Sequence, residues 1–259
     1  MLGAIIGDMA SSVYERNNFK NNEEYKEVLD KDNLIDDDCK YTKDTILNLA
    51  VLDTVLFEED YADILKKYGL EYMNEISNDK GSEDFIKWCY GENIKSDNND
   101  ALRRVSSIGY LYNDLDSIIK QTDKLTKNGY DTALAISSTR VLNSIIYSGR
   151  MGNSLSKTET IFCPISRPID KIRLSNKFNP SCAILSDCEE ALFQSVSFED
   201  AVRKAISLGG NVKANAVITG SMAEAFYEIP SDLKNDVLNK LPDEFDTVLI
   251  HGYEKVKKL

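Results

Sequence analysis

The sequence predicts an all-α protein, a compact multi-helix bundle of roughly ten or more helices. Three observations predict it. Apolar residues recur three and four positions apart along most of the chain. Several of these runs open on Thr, Ser or Asp and stop at Gly or Pro, the residues that start and end helices. Three short polar stretches fall at the ends of such runs: Gly7-Asp8 with Glu15, Thr42-Lys43-Asp44-Thr45, and Gly209-Gly210-Asn211-Val212-Lys213-Ala214. Polar clusters at helix ends, far apart in sequence, are what a site in the core of a helical bundle looks like when unrolled.

In order, residues 2–13 read as a buried helix of small and apolar residues that permit close packing. Asp8 lies inside that run, either as a buried carboxylate that needs a partner or on a solvent face. Residues 16–41 are polar and acidic and are expected to form a loop over the mouth of the site. The Asp36-Asp37-Asp38 run lacks the spacing and glycine of an EF-hand and reads as solvated. Thr42 is an N-cap for a helix through about Phe57. Glu58–Ile76 carries a tyrosine-rich stripe at helical spacing, read as core. Short helices follow at Glu83–Tyr90 and Ala101–Tyr112, separated by a polar loop that contains Asn99. Leu115–Leu125 is helical, and Asp131 caps a helix to about Ser148. Residues 149–187, with Pro164, Pro168 and Pro180, break the pattern and are expected to be irregular, with room for a short hairpin. Helices resume at Cys188–Val196 and Phe198–Leu208, the second closed by Gly209-Gly210. Lys213–Tyr227, Ser231–Leu241 and Asp243–Lys258 complete a single domain over residues 1–259.

Composition narrows the function classes. Net charge is −12 and the pI about 4.7, which argues against nonspecific binding to nucleic acid. No apolar run reaches the roughly 18 residues of a membrane span, and the first residues lack a basic leader, so no membrane partner is expected. The five cysteines lack CxxC spacing and read as reduced thiols of a cytoplasmic protein. Since His251 is the one histidine, no zinc site is expected.

Four motifs, in order, carry a resemblance. Gly3-Ala-Ile-Ile-Gly-Asp8 with Tyr14-Glu15 resembles the opening of the ADP-ribosylglycohydrolase family, whose type includes the dinitrogenase reductase-activating glycohydrolases. Thr42-Lys43-Asp44-Thr45 is similar to its Thr-Asp-Asp-Thr. Arg104-Val-Ser-Ser-Ile-Gly109-Tyr110 is similar to its Arg-Val-Ser-Pro-Ile-Gly turn, with Ser107 in place of proline. Ser207-Leu-Gly-Gly-Asn-Val-Lys-Ala214 and the run after it resemble its Asn-Leu-Gly-Gly-Asp-x-Asp-Thr helix. Thr126-Lys127-Asn128-Gly129-Tyr130-Asp131 aligns with a family segment that bears two histidines, replaced here by Lys127 and Gly129.

The resemblance implies an ADP-ribose-type small-molecule ligand. It implies ligand contacts from Asp8, Glu15, Thr42, Lys43, Asp44, Asn99, Ser107, Gly109, Tyr110, Lys127, Asn128, Gly210, Asn211 and Lys213. The family holds two magnesium ions through the two motifs in which this chain differs. Lys43 stands for the middle aspartate of the first, and Asn211, Lys213 and Ala214 stand for Asp, Asp and Thr of the last. Magnesium wants carboxylate oxygens, and an ammonium repels it. No metal and no other cofactor is therefore expected. The lysines either pair with Asp8 and Asp44 and balance the charge, or swing out to solvent.

Three functions fit. The first is a binding protein that holds an ADP-ribose-derived nucleotide without metal and does not cut it, as in sequestration. The second is a hydrolase that cleaves a glycosidic bond, with Glu15 or Asp44 as the carboxylate. The third is an interaction protein with an empty pocket.

Overall fold

The computed structural model describes residues 1–14, 22–79, 82–92, 98–127, 132–178 and 184–258. Among these the regular structure is entirely helical, with seventeen helices and no strand. In chain order they are α1 (Leu2–Ser11), α2 (Asn22–Asp30), α3 (Lys43–Phe57), α4 (Tyr61–Glu71), α5 (Met73–Ser77) and α6 (Glu83–Cys89). Then come α7 (Asn98–Arg104), α8 (Ser106–Leu111), α9 (Leu115–Lys127), α10 (Ala133–Arg150), α11 (Leu155–Phe162) and α12 (Ile169–Phe178). The last five are α13 (Ile184–Phe193), α14 (Phe198–Ser207), α15 (Val212–Ala223), α16 (Ser231–Leu238) and α17 (Asp243–Lys257). None of the described helices is long and apolar enough to cross a membrane. The chain divides into two compact units.

The first unit holds Met1, Tyr41–Tyr147 and Leu241–Leu259. Its centre is α3, which packs against α4, α7, α8 and α17. Thr42 caps α3 as the sequence predicts, with its side chain accepting from the Asp44 N–H at 3.4 Å. The helix ends at Glu58, which adopts the left-handed conformation at φ 57°. The expected 58–76 helix is split. Asp60 caps α4 by accepting from the N–H groups of Ala62 and Asp63, and the chain breaks at Tyr72 before α5. The tyrosine stripe is core, with Tyr61 and Tyr68 buried.

The second unit holds Leu2–Lys40 and Ser148–Lys240. Its centre is α15, packed by α1, α13 and α14. Every residue of α1 and of α15 is buried. The two helices meet backbone to backbone. A Cβ placed on Gly3 would lie 2.2 Å from the Gly220 carbonyl oxygen, and one on Gly7 would lie 2.2 Å from that of Ala216. The pairing of 3 with 220 and 7 with 216 makes the helices antiparallel, so the last turn of α1 lies level with the first turn of α15. The Glu224 carboxylate accepts from the Gly3 N–H at 2.6 Å and supplies negative charge at the start of α1.

Two sequence expectations are corrected here. The 16–41 stretch contains a helix, α2, within the expected loop. Its few apolar residues share one face: Tyr25 and Val28 are buried, and Arg203 of α14 donates to the Val28 carbonyl at 2.8 Å. Packing on α14 stabilises a helix whose composition alone reads as loop. Residues 149–187, expected to be irregular with a possible hairpin, carry α11, α12 and the start of α13. Ser154 caps α11, and the Pro168 carbonyl accepts from Lys171 at the start of α12. Proline is tolerated at a helix start, where its missing N–H has no partner to lose, so Pro168 can stand immediately before α12.

Candidate functional site

In the first unit the polar motif residues converge where α3 begins. Lys43 is the first residue of α3 and Asp44 the second; they are 2% and 4% exposed. The Asp44 carboxylate accepts from Arg103 Nη1 at 2.9 Å. Arg103 Nη2 also donates to Asp100, and Arg104 lies 3.4 Å from the same carboxylate. Asn48, one turn along α3 from Asp44, donates to the Asp44 carbonyl at 2.8 Å and to the Arg103 carbonyl at 2.6 Å. These bonds tie the start of α3 to the end of α7.

The Ser107-Ile-Gly109 stretch, which lies where the resembled family has a turn, is helical as the sequence predicts and belongs to α8. With serine in place of proline, each residue keeps its N–H and the helix can form. Ser107 and Tyr110 are buried, and the Gly109 N–H donates to Asn143 Oδ1 of α10 at 3.1 Å. Asn143 in turn donates to Thr122 of α9 at 2.9 Å. A Cβ on Gly109 would sit 3.0 Å from the Asn143 carbonyl, so glycine admits this close approach. Lys127, at the end of α9, lies on the surface and pairs with Asp123 at 3.7 Å.

In the second unit the motif residues lie at the end of α1 and the start of α15. Asp8 is fully buried, which removes the solvent-face alternative. Gly209 and Gly210 both take positive φ, 69° and 66°, a conformation that favours glycine. They turn the chain from α14 into α15. Asn211 caps α15 by accepting from the Ala214 N–H at 3.2 Å. Lys213 is the second residue of α15 and is 6% exposed. Neither Lys43 nor Lys213 has swung out to solvent.

Glu15 and Asn128 lie outside the described residues. Asn99 lies on α7, with its side chain outside the description. The sequence reading missed Arg103, Asp100 and Asn48. A signal was present for two of them, since Asp100 precedes Arg103 and Arg104 by three and four positions, the spacing of ion pairs on one helix.

The donor set does not fit a magnesium pair. In the first motif Asp44 is engaged by a guanidinium and flanked by a buried ammonium. In the last, the Asn211 oxygen caps its helix, Lys213 is a cation and Ala214 has no side-chain oxygen.

A third polar concentration lies on α13 of the second unit. Glu190 accepts from the Arg167 N–H at 2.5 Å, from Ser166 at 3.0 Å and from Gln194 at 2.8 Å, and so clasps the turn before α12. Asp187 accepts from Arg167 and Asn176. Burial, with the neighbouring Glu190 carboxylate, pushes the Glu189 carboxyl up to about 7. An open cleft of about 380 Å³ is lined by Asp36, Asp37, Asp236 and Lys240 among others, and by none of the motif residues.

No family model matches the chain, and no curated protein matches it. Among solved structures it is similar to one described as an ADP-ribosylglycohydrolase-related protein complex. The identity is 15%, the match covers 98% of this chain and 95% of that one, and the TM-score is 0.68. At this identity the likeness establishes the architecture: the chain carries the all-helical fold of an ADP-ribosylglycohydrolase-related protein.

Proposed function

We propose that the chain binds an ADP-ribose-type nucleotide without metal and leaves it uncut, a property suited to sequestering such a nucleotide. One observation carries the reading. At two helix starts, one in each unit, a buried lysine stands in the first turn: Lys43 on α3 and Lys213 on α15. A helix N-terminus already carries about half a positive charge and favours anions. Each such start, taken by itself, favours an anion, and a nucleotide diphosphate is an anion of that kind. Retention without cleavage is supported at Asp44, one of the two candidate carboxylates with Glu15. Glycoside hydrolysis needs a carboxylate free to act at the anomeric carbon, and the Asp44 carboxylate is engaged by Arg103.

Lys213→Ala tests the reading. A charge-assisted hydrogen bond contributes about 1.5–3 kcal/mol, which corresponds to roughly ten- to a hundredfold in affinity. Equilibrium dialysis with labelled ADP-ribose should show weakening of that size while the variant keeps its helical circular dichroism. Unchanged affinity in a folded variant would remove Lys213 from the site and contradict the proposal.

A further inference from the structure

Arg103 is held from both ends. Its guanidinium donates to Asp44 on α3 and to Asp100 on α7, and its carbonyl accepts from Asn48. The side chains of Asp44, Asp100 and Arg103 are 4%, 10% and 11% exposed, so the three charges lie in a region largely closed to water. A divalent cation gathers carboxylates from separate elements around one centre. Here a guanidinium does that, with its planar fork matched to carboxylate oxygens. A divalent ion approaching Asp44 would meet the guanidinium already bound there.

We propose that Arg103 is an internal substitute for a divalent cation: by holding Asp44 and Asp100 together it excludes metal from the start of α3. This deepens the metal-independence in the proposed function, and it rests on that reading only in taking the start of α3 as part of the site. Its test contains no nucleotide, so a failure of nucleotide binding leaves the result standing, and the reverse also holds.

The test compares the full-length protein with Lys43→Asp and with Lys43→Asp combined with Arg103→Gln. Thermal unfolding is followed with and without millimolar manganese, and bound manganese is counted by electron paramagnetic resonance. Lys43→Asp restores a carboxylate but keeps Arg103, and it should neither bind manganese saturably nor shift its melting temperature. The double variant should do both. Manganese binding by Lys43→Asp alone would overturn the proposal, as would a folded double variant that ignores the metal. If the double variant does not fold, the unaltered protein and Asp44→Asn decide: saturable binding lost in Asp44→Asn overturns the proposal, and no saturable binding to the unaltered protein supports it.

Discussion

The seam between α1 and α15 makes Gly7→Ala an informative change. Helix propensity alone predicts that alanine stabilises a helix interior by about 1 kcal/mol relative to glycine. The contact predicts the opposite. The new methyl group would lie 2.2 Å from the Ala216 carbonyl oxygen, 2.5 Å from its carbon and 2.8 Å from the Val217 nitrogen. All three are backbone atoms, so no rotamer relieves the clash, and the helices must part by roughly 1 Å to reach ordinary contact distance. A gap of that size forfeits a quarter to a half of the dispersion energy of the contacts it opens. Overpacking costs about 1–3 kcal/mol, and a backbone clash belongs at or above the upper end. After the propensity gain, a net loss of about 2–3 kcal/mol is expected. For a chain of this size that lowers the melting temperature by roughly 4–12 °C. Urea unfolding with an unchanged m-value gives the free energy directly. Gly3→Ala meets the Gly220 carbonyl at the same 2.2 Å. The two changes together should cost less than their sum, because one separation relieves both. A Gly7→Ala protein as stable as the original, or more stable, would refute the close seam.

Two further changes test other parts of the structure. The Glu189 carboxyl, raised to about 7, exceeds its unfolded value of about 4.3, so between those values the folded state keeps a proton that the unfolded chain has lost. Its contribution is therefore fully present below about pH 4.3, falls by on the order of 3–4 kcal/mol as the pH rises to about 7, and is level above that. Glu189→Gln should be more stable than the original at pH 8 and nearly equal to it near pH 4.5. Urea unfolding at the two values checks this, and a stability difference that does not change with pH contradicts it. Glu58→Gly removes a non-glycine residue from the left-handed region at φ 57° and should raise stability by up to about 1 kcal/mol in a thermal melt. A fall in melting temperature would show that the Glu58 side chain contributes more than its backbone strain costs.

What was legible in the sequence was what local chemistry dictates. Thr42 before an apolar-periodic run gives the start of α3, and the Gly209-Gly210 pair gives the turn into α15. The small residues of α1 gave the close packing that Gly3 and Gly7 make with α15. What was not legible depends on contacts between distant residues. Helix α2 is polar by composition and is fixed by α14, some 175 positions away along the chain at the Val28–Arg203 bond. The Asp44–Arg103 pair joins residues 59 positions apart. Sequence offered Asp44 as a candidate carboxylate with Lys43 and Lys213 as possible partners, and did not point to Arg103, whose contact depends on how α7 packs on α3. The helices at 155–162 and 169–178 were hidden by prolines that read as breaks, although Pro164 follows the first and Pro168 precedes the second.

The central claim is a metal-free nucleotide site that does not turn over. Isothermal titration calorimetry of ADP-ribose into chelator-treated protein, repeated with millimolar magnesium, tests it most directly, with the recovered ligand analysed by chromatography. Saturable binding of one ligand per chain, with the same affinity in both conditions and intact ligand afterwards, is the expected result. Absence of heat in both conditions, binding only with magnesium, or recovery of a cleaved ligand would contradict it.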